Sequence, residues 1–368
     1  MNASPPVRRP RVAIVLFNLG GPDRPEAVRP FLENLFTDPA ILRVPGFIRP
    51  WLGRLIAARR TKAASENYAV LGGRSPLLDL TEEQARALEA ALAPTLEAKC
   101  FIAMRYWHPF ADEAAAAVKA FEPEEILLLP LYPQFSTTTT GSSLADWERA
   151  ARKAGLSAPF TTICCWHSDD GFAAATAALL RAAYGKARAE LPPEVPLRVL
   201  FSAHGLPESI VKRGDPYQWQ VERSVAAVVE RLGIPGLDHV VCYQSRVTPQ
   251  KWIGPSTEEE IERAGHDRTA VLVCPIAFVS DHSETLVELD VEYREEAEKA
   301  GVPGYFRVPA QNSDPGFIAA LAALVHKVRG YGRSLCSFAG ARQCPKRHGD
   351  CPHARARAAA RAEKAAAA

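Results

Sequence analysis

Short unbroken apolar runs alternate along this chain with longer stretches in which apolar residues return every three or four positions. The runs predict strands at residues 12–17, 100–104, 126–131, 160–164, 197–202, 239–243, 270–276 and 305–308. The Ala-, Glu- and Arg-rich stretches between them predict helices at 26–35, 81–93, 111–121, 171–189, 219–232, 284–299 and 315–328. A strand that is apolar on both faces must be covered on both faces, and helices are the usual crossover between parallel neighbours. The expected fold class is α/β, with parallel sheets wrapped by helices.

The pattern repeats once. VAIVLFNLGGP (residues 12–22) is echoed by LRVLFSAHGLP (197–207), each an apolar strand followed by Phe, a polar residue, Gly and Pro. LPLYPQFS (129–136) is echoed by CPIAFVS (274–280), a strand broken by proline near its end. Loops at strand C-termini form the ligand crevice of open α/β sheets, so both echoes are expected at one cleft between two halves. A chain of 368 residues also exceeds the comfortable size of a single core. The expected division is 1–170, 171–330 and a tail at 331–368. Residues 38–60 (DPAILRVPGFIRPWLGRLIAARR) stand outside the alternation, being Pro-broken, apolar and basic, and the alanine-rich end of the tail is expected to fray.

Composition narrows the classes. Apolar residues at 47% and aromatics at 8% are those of an ordinary globular protein. A formal net charge of +2 gives no basic surface of the density that nucleic acid requires. Residues 1–11 are basic and Pro-rich, but the apolar run behind them is too short for a signal-peptide core. No stretch approaches the ~20 apolar residues that span a bilayer, so the expected location is the cytoplasm. Eight cysteines in such a chain point to buried thiols or metal ligands rather than a disulfide framework.

Two motifs carry chemistry. FSAHGLP places His204 just past a buried strand, where an imidazole accepts a proton, binds a borderline metal ion, or serves as a hydrogen-bonded loop histidine. SDHSETLVELD follows another strand and opens a helix, with Ser280 or Asp281 in N-cap position and Glu284 at capping-box distance. Asp281, Glu284, Glu288 and Glu292 recur at spacings of three and four, a carboxylate row whose buried end calls for a compensating cation. One nitrogen and one oxygen donor would hold Fe2+ loosely enough to pass it on.

Longer blocks surround these motifs. FNLGGP, RRTKAASENY with GGRSP, MRYWHP, LYPQFSTTTTGSS, FSAHGLPESIVKRGDPY, YQSRVTPQKWIGP and CPIAFVSDHSETLVELDVEY resemble, in order, the signature blocks of the ferrochelatase family. The resemblance implies two Rossmann-like, chelatase-like domains with the active-site cleft between them. It implies a lyase that inserts Fe2+ into protoporphyrin IX, releasing two protons and forming haem. Residue by residue, it implies that His204 is the catalytic histidine, as metal ligand or proton acceptor, and Glu284 its acidic partner. His282 lies beside them, and Glu288, one turn on, extends the metal-binding group. Arg60, Tyr68 and Ser75 match porphyrin contacts, and Arg105, Tyr106, Ser245 and Trp252 match cleft-lining positions. Leu19 stands where relatives carry a bulkier residue against the macrocycle. Arg60 and Arg105 suit propionates, and Tyr106 and Trp252 offer ring faces, although ion pairing and core packing are the ordinary uses of such residues.

The resemblance also makes 38–60 a lip over the cleft mouth. Its apolar Phe47, Ile48, Trp51, Leu52, Leu55 and Ile56, interleaved with arginines, suit shallow binding to an anionic membrane surface on the inner face. Protoporphyrin, that membrane and a second copy in a homodimer are the expected partners. Cys336, Cys344 and Cys351 resemble the C-terminal ligands of a [2Fe-2S] cluster found in some relatives, with a fourth thiolate from Cys164 or Cys165. Their C-x7-C-x6-C spacing departs from the tighter family arrangement, and zinc with His348 or His353, or free thiols, stay open. The alternatives to a protoporphyrin enzyme are a coproporphyrin ferrochelatase, another tetrapyrrole metal chelatase, or a non-catalytic porphyrin or haem carrier.

Overall fold

The computed structural model describes residues 8–245 and 250–366. Residues 1–7 of the basic lead, 246–249 within the YQSRVTPQKWIGP block and 367–368 of the alanine tail lie outside the described residues. Each expected strand is present: β1 (Arg11–Asn18), β2 (Glu97–Met104), β3 (Glu125–Pro130), β4 (Phe160–Ile163), β5 (Leu197–His204), β6 (His239–Gln244), β7 (Ala270–Pro275) and β8 (Tyr305–Arg307). A further strand, β9 (Leu335–Cys336), comes from the tail. They form two sheets, ordered β2-β1-β3-β4-β9 and β6-β5-β7-β8, and every pairing in them is parallel. β1 and β5 hold the same place in their sheets, as do β3 and β7, so the two sequence echoes are also echoes of topology.

The helices are α1 (Val28–Thr37), α2 (Arg49–Val70), α3 (Leu77–Leu92), α4 (Ala111–Phe121), α5 (Thr140–Ala154), α6 (Asp170–Glu190), α7 (Glu208–Lys212), α8 (Tyr217–Leu232), α9 (Thr257–His266), α10 (Tyr293–Lys299), α11 (Pro315–Gly330) and α12 (Pro352–Ala366). Ahead of α10, Glu284–Glu292 is wound as a π-helix. Where capping is visible it follows the sequence: Asp169 accepts from Gly171 N at α6, and Asp314 accepts from Phe317 N at α11, whose first residue is Pro315.

Three expectations need correction. The alanine-rich end forms α12 instead of fraying, as alanine's helix propensity favours. The 284–299 helix is π-wound over its first part. Neither Ser280 nor Asp281 caps it, because Ser280 Oγ donates to Gln84 Oε1 (3.1 Å) and the Asp281 carboxylate is held by Arg307 and Asn312.

One core runs through both halves: Val12, Ile14 and Leu16 of the first sheet share it with Val199 and Phe201 of the second. α6 and α11 pack on each other and reach α8 and α3. A buried polar bolt adds direction to this contact. Asp215, ahead of α8 and fully buried, accepts from Ser136 Oγ (3.0 Å), Thr137 N (2.7 Å), Thr137 Oγ1 (2.8 Å) and Tyr217 N (3.0 Å). Phe135 N donates to Gln220 Oε1 at 2.7 Å, and Gln134 Nε2 to Ser224 Oγ at 2.8 Å. The loop after β3 is thereby fastened to the second half.

Candidate active site

β5 ends at His204, whose strand partner on β6 is Gln244. The π-wound helix presents Glu284 across from it, and His204 Nδ1 lies 3.0 Å from Glu284 Oε2. Burial disfavours the imidazolium, but the charge of Glu284 and its hydrogen bond outweigh this and raise the His204 pKa. Burial likewise opposes ionised Glu284, yet the His204 imidazolium holds it well below the usual carboxylate range. The pair is still open to solvent, with the His204 side chain 37% exposed and that of Glu284 26%. A ring nitrogen and a carboxylate oxygen in contact, and reachable, can exchange a proton or share a cation.

Glu288 is next along the helix. Ser245 Oγ donates to its carboxylate at 2.7 Å, Gln244 Nε2 at 3.1 Å and Tyr293 Oη at 2.9 Å. Burial, followed by the nearby charge of Glu284, pushes its pKa up to about 7. Ser245 makes its contact from a left-handed backbone (φ 65°), uncommon for a residue with a side chain and costly unless the surroundings enforce it. His282 is buried with Nδ1 unpartnered, its ring tilted against Phe278 with centroids 4.6 Å apart, and is driven towards the neutral form by burial. The carboxylate row thus divides by partner. Asp281 faces Arg307, Glu284 faces His204, Glu288 faces Ser245, and Glu292 accepts from Asn67 Nδ2 at 3.3 Å.

The remaining expected residues fall into two groups. Tyr68 on α2 reaches Ser283 with its hydroxyl, beside Glu284, and burial raises its pKa to about 12. Ser75 packs against Gly21, where a Cβ would lie 2.5 Å from the serine Cβ and 3.9 Å from the Tyr68 hydroxyl. Trp252 lies against Gly205, next to His204, leaving 3.2 Å for a Cβ there. These side chains converge on the His204 side of the molecule. Arg60 is exposed on α2 over Phe36, and Leu19 is half-buried against the cluster that holds Tyr106. Tyr106 belongs to the same apolar cluster as Tyr68, and Arg105 lies over its ring. Tyr106 is 1% exposed, its hydroxyl donating to Asp38 Oδ2 at 2.8 Å. Arg105 is spent on Asp38 (2.9 Å) and Ser142 (2.7 Å), at a recess of about 460 Å³ whose walls include neither His204 nor Glu284.

The tail cysteines meet the end of β4. Cys164 and Cys165 bring their sulfurs to 3.6 Å, and Cys344 and Cys351 are hydrogen-bonded to each other. Gln220 Nε2 donates to Cys344 Sγ at 3.1 Å, while Cys336 is buried in β9 beside Ile163. The Cys165 hydrogen bond lowers the Cys164 pKa to about 7, and the Cys344 bond lowers Cys351 to about 6. Among the described residues no group of three or more His, Cys, Asp or Glu side chains is set to hold a single metal ion.

Sequence reasoning missed Gln244, Tyr293, Asp38 and Arg307. Gln244 and Tyr293 stand inside two of the quoted blocks and Asp38 opens residues 38–60, but none of the four carries a signature spacing, and only Gln244, at the strand end beside His204, offered a local sign.

The family model and the curated relatives agree. The ferrochelatase family model matches residues 11–329. The ferrochelatase of Caulobacter vibrioides is 53% identical over 345 residues, covering 93% of this chain and 97% of its own. That of Phenylobacterium zucineum is 53% identical over 344 residues, with the same coverage of each chain. That of Pelagibacter ubique is 46% identical over 344 residues, covering 92% of this chain and 98% of its own. Among solved structures, SirB from Bacillus subtilis with Fe3+ is 15% identical, has a TM-score of 0.50, and covers 88% of this chain and 97% of that one, a likeness of fold.

Proposed function

The chain belongs to the ferrochelatase family, an iron-inserting lyase of haem biosynthesis, and from that premise we propose that His204 and Glu284 carry the reaction on protoporphyrin IX. The observation that carries this is the 3.0 Å contact between His204 Nδ1 and Glu284 Oε2 at the open end of β5. Metallation must remove two pyrrole protons and deliver Fe2+ to the ring centre. His204 takes the two protons in turn, each held as imidazolium against Glu284 and released to the solvent to which the pair is open, and Glu284 and Glu288 supply oxygen donors along which the cation approaches. Tyr68, Ser75 and Trp252 bound the porphyrin on that side, with Arg60 and Ser245 at its margins and Leu19 beneath. Arg105 and Tyr106 support the lip through Asp38.

The test is metal insertion followed by porphyrin fluorescence. His204→Ala and Glu284→Gln should each lower turnover by at least about a hundredfold while the porphyrin still binds. Wild-type rates in either variant would overturn the assignment. Running coproporphyrin beside protoporphyrin decides the substrate.

The cleft lies between domains 1–170 and 171–330 in this reading, with 331–368 as a tail. Phe47 (85% exposed), Trp51 (68%), Ile48 and Ile41 form an apolar lip, and Arg54 and Arg59 beside them are exposed. No described helix is long and apolar enough to cross a membrane. The exposed apolar side chains with arginines beside them support shallow contact of the lip with an anionic bilayer at the cytoplasmic face. Phe47→Ser with Trp51→Ser should abolish flotation with anionic vesicles and leave turnover on detergent-dispersed porphyrin intact. Two touching thiol pairs, Cys164 with Cys165 and Cys344 with Cys351, fit in number and chemistry a [2Fe-2S] cluster, whose irons each take two thiolates. Cys336 is the alternative ligand on the same side. The cluster would add a redox-active cross-link between tail and body. Visible cluster absorption lost in Cys344→Ser supports it, and an active, colourless anaerobic preparation removes it.

A further inference from the structure

Arg307 ends β8, on the far side of the carboxylate helix from His204, and no part of the reaction described above uses it. Its side chain is only 12% exposed. The guanidinium grips Asp290 bidentately along one edge, Nε to Oδ1 at 2.6 Å and Nη2 to Oδ2 at 2.8 Å. Nη1 reaches back to Asp281 Oδ1 at 3.0 Å. The other Asp281 oxygen accepts from Asn312 Nδ2 at 2.8 Å, and Asn312 Oδ1 accepts from Asp281 N at 2.8 Å. Asn312 does this from a left-handed backbone (φ 45°) and is tied by its own N–H to Val279 O.

Asp281 precedes Glu284, and Asp290 follows Glu288. One rigid fork therefore ties both ends of the segment that carries the two reactive carboxylates. The segment needs such a tie because it is π-wound, a geometry that is rare and usually confined to functional sites. Rewinding it as an α-helix would remove the extra residue per turn and swing Glu284 and Glu288 relative to His204. Its start has no side-chain cap to resist that change. We propose that Arg307 is a positioning residue: through Asp281 and Asp290 it holds the π winding and so fixes Glu284 against His204. This rests on the reading of His204 and Glu284 as the reacting pair.

A fork differs from a point charge, and the difference gives the test. Arg307→Lys keeps the charge that compensates Asp281 and Asp290 but cannot hold both with fixed geometry. We expect kcat for metal insertion to fall roughly ten- to hundredfold, the range that follows misplacement of a reacting group by about an ångström. The porphyrin Kd, read by fluorescence titration, should stay within about twofold of wild type. A double variant with Glu284→Gln should be no slower than Glu284→Gln alone, because both act on one contact. Wild-type kcat in Arg307→Lys, or losses that multiply with Glu284→Gln, would overturn the proposal. Should Arg307→Lys fail to fold, Asp290→Asn must show the same kcat loss with porphyrin binding preserved, and a wild-type kcat there overturns it equally. If Glu284→Gln itself turns over normally, the reacting pair has been misassigned and the failure lies with that reading.

Discussion

At Glu288 two influences act against each other. Burial and the charge of Glu284 favour the protonated carboxyl, while Ser245 and Tyr293 donate to the ionised form, and burial prevails with a pKa near 7. In the unfolded chain the group would titrate near 4.5, so between 4.5 and 7 the native state holds more proton than the unfolded one. Stability from this group is then lost as pH rises through that window. Glu288→Gln removes the effect, so the melting temperature of the variant relative to wild type should increase from pH 5 to pH 8. A difference that is flat across that range would show that Glu288 is ionised throughout. The His204–Glu284 pair has the opposite edges. Glu284, lowered, gives up its contribution as pH falls through its folded pKa, and His204, raised, gives up its own as pH rises above 6.5 through its folded pKa. Both residues were legible because each ends or follows a buried strand inside a motif. Tyr293 and Arg307 were not, because they matter only through the partner that folding brings to them, and Gln244 showed only as a strand end.

Among the elements, α2 shows how packing overrides a weak pattern. Its apolar residues favour no side of the helix, Pro45 precedes it and Pro50 sits in its first turn, so the segment read only as a Pro-broken, apolar and basic lip. What makes it a helix is its crossing with α1 at Gly53. A Cβ there would sit 2.7 Å from Phe36 O, a backbone atom that cannot step aside. Gly53→Leu should therefore pry α2 from α1 at a cost of about 1–3 kcal/mol, visible as a lower denaturant midpoint with an unchanged slope. An unchanged midpoint would mean that the crossing adjusts freely. α5 was hidden for a different reason, since it opens in the Thr/Ser run of STTTTGSS, residues that compete with helix through their own hydroxyls. α9 carried a readable sign, the Ser256 and Glu259 capping box, and α12 an even plainer one in its alanines. The strands were legible because unbroken apolar runs of that length have few other uses. β9 is only two residues long and shows no periodicity at all.

Across the whole molecule, the cleft depends on how the two sheets are held, and the apolar core alone does not fix their orientation. Apolar contact is non-directional, whereas the Asp215 carboxylate accepts from two backbone N–H groups and two hydroxyls drawn from both halves. Burial raises its pKa, a cost met by those four donors. Asp215→Ala leaves them unpaired in a dry interface and should destabilise by roughly 3 kcal/mol. Because Asp215 positions the halves and touches no reacting group, its effect on turnover should differ in kind from that of His204→Ala. In Asp215→Asn, which keeps one acceptor oxygen, turnover should approach wild type well below the melting temperature and fall steeply as that temperature nears. His204→Ala should be slow at every temperature. If Asp215→Asn is equally slow in the cold, with its fold intact by circular dichroism, the carboxylate acts on the chemistry itself and the polar bolt is more than a fastening.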